Sequence, residues 1–434
     1  MHAHDSRPPS IVRRRLTRLR RHLCGRGVAS LVAFALSAPV WAAAASPEQA
    51  STLPPLPQVA QDVASPSAHV RRKALRGLRE RGGPETLPLL AGLLGDAEVD
   101  IREGALAGVI HVFVPPRPHR SIGSAAEAFE AALFHGQPWS VPPELSAALV
   151  KALADEEPSV RRDAAYAAGI VLTPPVTNGV AFEILASLSD GVPSVRVAAA
   201  RALGRLQVRD AGVPLIGRVN DEDLDVRLAS MNALGDLREQ RAIVALTDQF
   251  AFYVRGAAGR AAISALAAIG HPVKIPLFET ETKSGYPAHR RAAYEGLARS
   301  GGAAAAALRI EAAVDSEHDR RVRLAMAFAT ASAGRDGVNR VLDALTDRDR
   351  SDEALAYLVE LGQPHVAAIA ARLGDPDPFV RGQIATALGF IGGPAASAAL
   401  KSASGESDPD VRQRIDIAQL RLTRRTAVRA AGAP

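Results

Sequence analysis

The sequence predicts an all-α chain: an α-α superhelix of about eleven stacked helix pairs, with one inserted helix or loop. Three observations predict it. A short pattern recurs along the chain, as Asp190-Gly191-Val192-Pro193-Ser194-Val195-Arg196, Asp221-Glu222-Asp223-Leu224-Asp225-Val226-Arg227 and Asp375-Pro376-Asp377-Pro378-Phe379-Val380-Arg381. Each copy is followed by a Leu-Gly pair: Leu203-Gly204, Leu234-Gly235 and Leu388-Gly389. The repeat length is near 31 residues, which is the mark of stacked supersecondary units rather than one globular core. Apolar residues between the copies recur at helical spacing, and no strand-like alternation stands out.

The N-terminal 45 residues stand apart. They hold eight arginines and one acid, Asp5, a formal +7 against +6 for the whole chain, which leaves the remainder near −1. A near-neutral repeat region has no overall electrostatic footprint for DNA or RNA, so no nucleic acid is expected as partner. The basic stretch is followed by the uncharged run Val28 to Trp41 and then Ala42-Ala43-Ala44-Ala45-Ser46. Basic, apolar, then small is the order of a signal peptide, with cleavage near residues 42–45. The run is short for a membrane span, so no span is expected in the mature chain. The protein is expected to be exported, periplasmic or secreted. Cys24 is the only cysteine, so cleavage leaves no thiol for a disulfide, a nucleophile or a metal. Residues 46–61, rich in Pro, Ser and Gln, read as a flexible leader.

The solenoid is expected over residues 62–422. Its arginine position is filled by Arg71, Arg102, Arg161, Arg196, Arg227, Arg290, Arg323, Arg381 and Arg412. Following small apolar residues put Gly259 and Asp352 in the same position in two further units. Each unit reads as two helices. Val213, Leu215, Ile216 and Val219 make one apolar stripe, Asp221 to Asp225 a polar turn, and Val226, Ala229, Ala233, Leu234 and Leu237 a second stripe. Pro193 and Pro378 suit the start of the second helix, and Ser194 or Asp225 suits its cap. The tail after Leu422, residues 423–434, reads as loose and mildly basic.

These residues resemble the HEAT family of helical repeats, in the variety named after phycobilisome lyases: an Asp, then Val-Arg, then an Ala-rich helix ending in Leu-Gly. The resemblance covers roughly residues 60 to 422. It implies a structural ladder in which each turn acid bonds the arginine of its own or the adjacent unit, through Asp96, Arg102, Asp155, Arg161, Asp190, Arg196, Asp221, Arg227, Asp375 and Arg381. A guanidinium fork can bridge a carboxylate and a backbone carbonyl at once. The competing reading is a row of arginines for phosphate.

The step from Arg102 to Arg161 is 59 residues and contains an insertion, residues 113–141. Its middle, Ala125, Ala128, Phe129, Ala132 and Leu133, has helical spacing, and prolines bracket it. Phe113, Phe129, Phe134 and Trp139 concentrate aromatic side chains here. Either they pack as satellite core, or they anchor a partner. Asp352, in a densely charged turn, is the other candidate contact: a solvated turn or a recognition patch.

Chemistry-bearing motifs are sparse. No catalytic, cofactor-binding or metal residue and no cofactor is assigned. The histidines outside the signal region form no His-x-x-x-His pair, and no Gly-rich phosphate loop or catalytic triad stands out. The iron-binding HEAT enzyme deoxyhypusine hydroxylase uses His-Glu dipeptides, and this chain has none. The expected function is that of a non-catalytic exported scaffold or adaptor gripping a protein or peptide partner on the inner face of the solenoid. A lyase-type or chromophore-handling protein and a nucleic-acid binder are the alternatives.

Overall fold

The computed structural model describes residues 53–115 and 124–431, with side chains to residue 426. The expected signal peptide, residues 46–52 of the leader and residues 116–123 of the insertion, including His119, lie outside the described residues. The described chain is helical without strands, and its 23 α-helices form eleven pairs plus one inserted helix.

The first pair is α1 (Leu56–Val63) and α2 (Ala68–Arg81), followed by α3 (Leu87–Leu93) and α4 (Val99–Phe113). The inserted helix is α5 (Ala125–His135). The stack resumes with α6 (Pro143–Leu153) and α7 (Pro158–Val171), α8 (Asn178–Ser187) and α9 (Pro193–Arg205), and α10 (Gly212–Arg218) and α11 (Leu224–Asp236). It continues with α12 (Ile243–Phe252) and α13 (Ala257–Ile269), α14 (Ile275–Glu281) and α15 (Pro287–Ser300), and α16 (Ala303–Ala313) and α17 (Arg320–Ser332). The last pairs are α18 (Val338–Asp343) and α19 (Ser351–Leu361), α20 (Val366–Ala371) and α21 (Pro378–Ile391), and α22 (Gly393–Ser402) and α23 (Pro409–Ala431). Each second helix carries one arginine position in its first turn.

Local chemistry sets the helix ends, though not at the residues expected to cap. Ser194 and Asp225 lie inside α9 and α11. The caps are earlier: Asp223 accepts the Val226 N–H, Asp319 those of Arg321 and Val322, and Asp377 that of Phe379. A proline at the first helical position, where the N–H needs no partner, starts α7, α9, α15 and α21. Two boundaries are also corrected. The leader turns helical at Leu56, because Val59 and its helical neighbours have an apolar seam to bury into. The tail as far as residue 431 is the end of α23, not loose chain, and Arg424 and Arg425 bond back into the body of the protein.

Second helices pack directly on second helices, and the Leu-Gly pair explains how. The leucine is buried. The glycine meets the backbone of the next second helix: a Cβ on Gly204 would lie 2.9 Å from the Ala233 Cα, and one on Gly389 2.8 Å from the Ala418 Cα. The shared seam is an apolar core running from Val59 to Ala329 and, through α17, on to Ala418. Among the described residues no single helix is long and apolar enough to cross a membrane.

Candidate functional site

The turn acids and arginines form rungs between units. The carboxylate partner is the acid of the next unit: Arg71 with Asp96, Arg102 with Asp155, Arg161 with Asp190, Arg196 with Asp221, Arg290 with Glu317 and Arg381 with Glu406, at 2.6–2.8 Å. Within its own unit the same arginine donates instead to the backbone carbonyl of the acid, as Arg102 does to Asp96, Arg161 to Asp155, Arg196 to Asp190, Arg227 to Asp221 and Arg381 to Asp375. The acid also accepts the N–H two residues on, at Glu98, Glu157, Val192, Asp223 and Asp377. So one carboxylate closes a turn and holds the preceding unit. Burial opposes the charge on Asp190 and Asp221, yet their guanidinium and N–H partners win and hold both carboxyls below the usual range.

Two units lack the arginine, and both also lack the acid, as do the units of Arg71 and Arg290, where Ser65 and Ser284 stand instead. Six positions before Gly259 stands Tyr253, and six before Asp352 stands Thr346. Arg227 and Arg323 therefore keep only their own-unit carbonyl bonds.

Every described polar or ring contact that skips a unit runs between second helices or through α5, so the second helices line the concave side. Arg238, just past α11, lies 3.3 Å from Glu360 on α19, which also takes Arg299 of α15. Tyr357 of α19 donates to Glu295 of α15 and stacks on Phe328 of α17 at 4.5 Å. Curvature this tight brings the later units back to the insertion.

The insertion leaves and re-enters at one point, since the Gln137 N–H donates to the Phe113 carbonyl at 2.7 Å. From there α5 lies across the concave side. On one flank Phe129 meets Tyr166 at 5.5 Å, and Arg205 sits 3.7 Å over its ring while donating to its carbonyl. Glu130 lies 3.4 Å from Arg201. On the other flank Phe134 meets Phe390 edge-on at 5.6 Å, and His135 Nε2 lies 3.4 Å from Asp352. Arg421 donates to the Gly136 carbonyl at 2.6 Å and Arg424 to Ser140 at 2.8 Å.

The candidate partner anchors thus turn inward. Phe113 and Phe129 are buried, and Phe134 and Trp139 are partly buried against the core. Asp352 faces His135 on α5 rather than open solvent alone. Of the two readings of these aromatics, packing as satellite core is the one their burial fits, with curvature supplying the internal face.

The residues that shape the concave side were not singled out from sequence. Arg205, Asp236, Arg299, Phe390 and Arg421 all stand nine positions after the arginine position of their units. Burial lowers the guanidinium of Arg205 to about 10 and that of Arg421 to about 10. Between α9 and α15 this side is not filled. Asn232, Asp236 and Arg260 keep solvent contact. The Asp236 carboxylate nonetheless lies deep, with an oxygen 3.1 Å from where a Gly204 Cβ would be, and loss of surrounding water raises its carboxyl to about 6.

Residues 182–261 and 338–420 match the model of HEAT repeats. No curated protein sequence matches the chain. Among solved structures, the chain is similar to the complex of CpcE and CpcF of phycocyanin lyase from Nostoc sp. PCC7120, at 20% identity over 57% of this chain and 96% of that one, with a TM-score of 0.39. An engineered protein is similar over 84% of this chain and 98% of its own, at 19% identity and a TM-score of 0.36. A designed armadillo repeat protein in complex with peptide (KR)4 is similar over 57% of this chain and 99% of its own, at 19% identity and a TM-score of 0.34.

Proposed function

On the premise that residues 182–261 and 338–420 are HEAT repeats, we propose that the chain is a non-catalytic, exported scaffold that binds a protein or peptide partner in the open stretch of its concave side. One observation carries the reading. Glu130, Arg201, Arg205 and Asp236 form one cluster of opposite charges beside α5, and the Asp236 carboxyl there is raised although its residue keeps solvent contact. A recess walled by fixed charges of both signs suits an extended segment carrying polar side chains, and buried charge raises the cost of a mismatched one.

The test is a photo-crosslinking residue at Asn232 in the full chain, expressed in the source cells. A control crosslinker stands at Val99, the exposed first residue of α4. A discrete adduct at Asn232 and not at Val99 is the expected result. Identical adducts at both, or none at Asn232, would sink the concave reading. Export has its own readout: the intact mass of the protein in the envelope fraction, expected to begin after residues 42–45. A cytosolic protein that keeps residues 1–41 would refute it.

A further inference from the structure

We infer that the turn after α12 is a docking site for a carboxylate on a protein partner, flanked there by apolar side chains, and that this carboxylate completes the rung that Arg227 lacks. The inference concerns a different surface from the concave recess and stands without it.

Six rungs define what belongs opposite such an arginine. In each, a carboxylate of the next turn faces the guanidinium, with one guanidinium nitrogen still held by the own-unit carbonyl. Arg227 keeps the second half of this arrangement, donating to the Asp221 and Glu222 carbonyls at 2.8 and 3.2 Å. The register puts Tyr253 where the carboxylate belongs. No ion pair or side-chain acceptor for Arg227 is present among the described residues. The turn N–H that an acid usually takes, here that of Arg255, also has no acceptor among the described residues; the turn closes through Gly256 N–H to Tyr253 O at 2.8 Å instead. Arg196 shows that one edge suffices. It holds Asp221 through Nη2 at 2.7 Å while its Nε, like that of Arg227, has no acceptor.

The surroundings say what carries the carboxylate. Phe252 is 78% exposed, and its ring meets that of Tyr253 at 4.6 Å. Val254 is exposed beside them, as are Leu224 on the preceding turn and Tyr286 on the following one. Exposed apolar groups gathered on one ridge indicate a contact surface. Arg255 adds positive charge, but Glu222 on the neighbouring turn and Asp225 at the start of α11 are exposed as well. That balance admits a single carboxylate among apolar side chains and disfavours a polyanion such as nucleic acid. Gly259 lies beneath the Tyr253 carbonyl, 2.1 Å from where a Cβ would stand, so the arginine position of this unit has no room for a side chain while the turn keeps this path.

The probe is a fluorescein-labelled peptide copying residues 220–226, the turn that satisfies Arg196, titrated against the full chain and read by anisotropy. Saturable binding is expected, weakening with salt. Replacing the peptide's first aspartate by asparagine should weaken it about tenfold, the scale of one charge-assisted hydrogen bond. Tyr253→Asp, which supplies the carboxylate in cis, should weaken it by a similar factor without loss of fold, and Phe252→Ser should weaken it independently. Asp236→Asn, in the concave recess, should leave it unchanged. Absence of saturable binding, or binding indifferent to Tyr253→Asp, overturns the inference. Loss with Asp236→Asn alone moves the peptide to the recess and overturns it too. A dimer that forms with the wild-type chain and not with Tyr253→Asp would identify the partner as a second copy.

Discussion

The two units that lack a rung resolve the loss differently. Before Asp352 the acid is displaced by one residue: Asp347 accepts the Asp349 N–H at 3.0 Å and the Arg350 guanidinium at 2.8 Å, with Arg320 at 3.6 Å. Asp352 itself turns to His135 on α5. The defect is repaired from within. Before Gly259 no acid is displaced, and an aromatic, solvent-facing turn stands in its place. Among the described residues Arg323 and Arg227 both stay without a carboxylate; local charge closes the turn in one unit, and an exposed aromatic turn stands in the other. A repeat that loses its polar pair is therefore not equivalent to a degenerate repeat; what replaces the pair decides whether the site is closed or open.

The comparison can be broken at its reference point first. Asp221→Ala leaves the buried Arg196 with only the exposed Glu222 carboxylate, at 3.7 Å, and should cost about 4 kcal/mol in urea unfolding, the range for stripping one partner from a buried pair. Gly259→Ala drives a Cβ against the Tyr253 carbonyl and should cost about 3 kcal/mol, by the scale of overpacking. Asp347→Ala, in a half-exposed pair, should cost less than about 1 kcal/mol. If Asp347→Ala matches Asp221→Ala, the displaced acid is a full rung and the distinction between closed repair and true rung fails.

The smallest effect is a sign rather than a size. The rung carboxyls of Asp96 and Asp221 are held low, so their contribution is present above the unfolded value and fades as pH falls through the folded one. Asp236 is raised to about 6, so its deprotonation costs stability as pH climbs from about 4 through about 6. Asp236→Asn should raise the melting temperature at pH 8 relative to wild type and leave that at pH 4 nearly unchanged. A wild-type advantage at pH 8 would contradict the depth assigned to this carboxylate.

Much of this was legible in sequence, and for a local reason. The arginine position, the acid before it and the Leu-Gly after it are each set within one helix pair, so their spacing survives as text. Register alone placed Gly259 and Asp352, and extending it six residues back exposes Tyr253 and Thr346 as lost acids. Direction was not legible: Asp221 stands six residues before Arg227 and 25 after Arg196, and only stacking shows that its carboxylate takes the second. Least legible was the fate of the insertion. Phe134 finds Phe390 because small rotations add up over many units, a global quantity that no local spacing records.

That meeting has a mechanical consequence. An ordinary solenoid is an open spring, in which each coil feels only its immediate neighbours and stability adds up coil by coil. Here α5 works as a clasp between early and late coils, so trimming the final helix at Arg421 should loosen the third coil as well. Melting should then proceed as one event across the clasped coils, with a stiffness under tension that the individual hairpins do not possess.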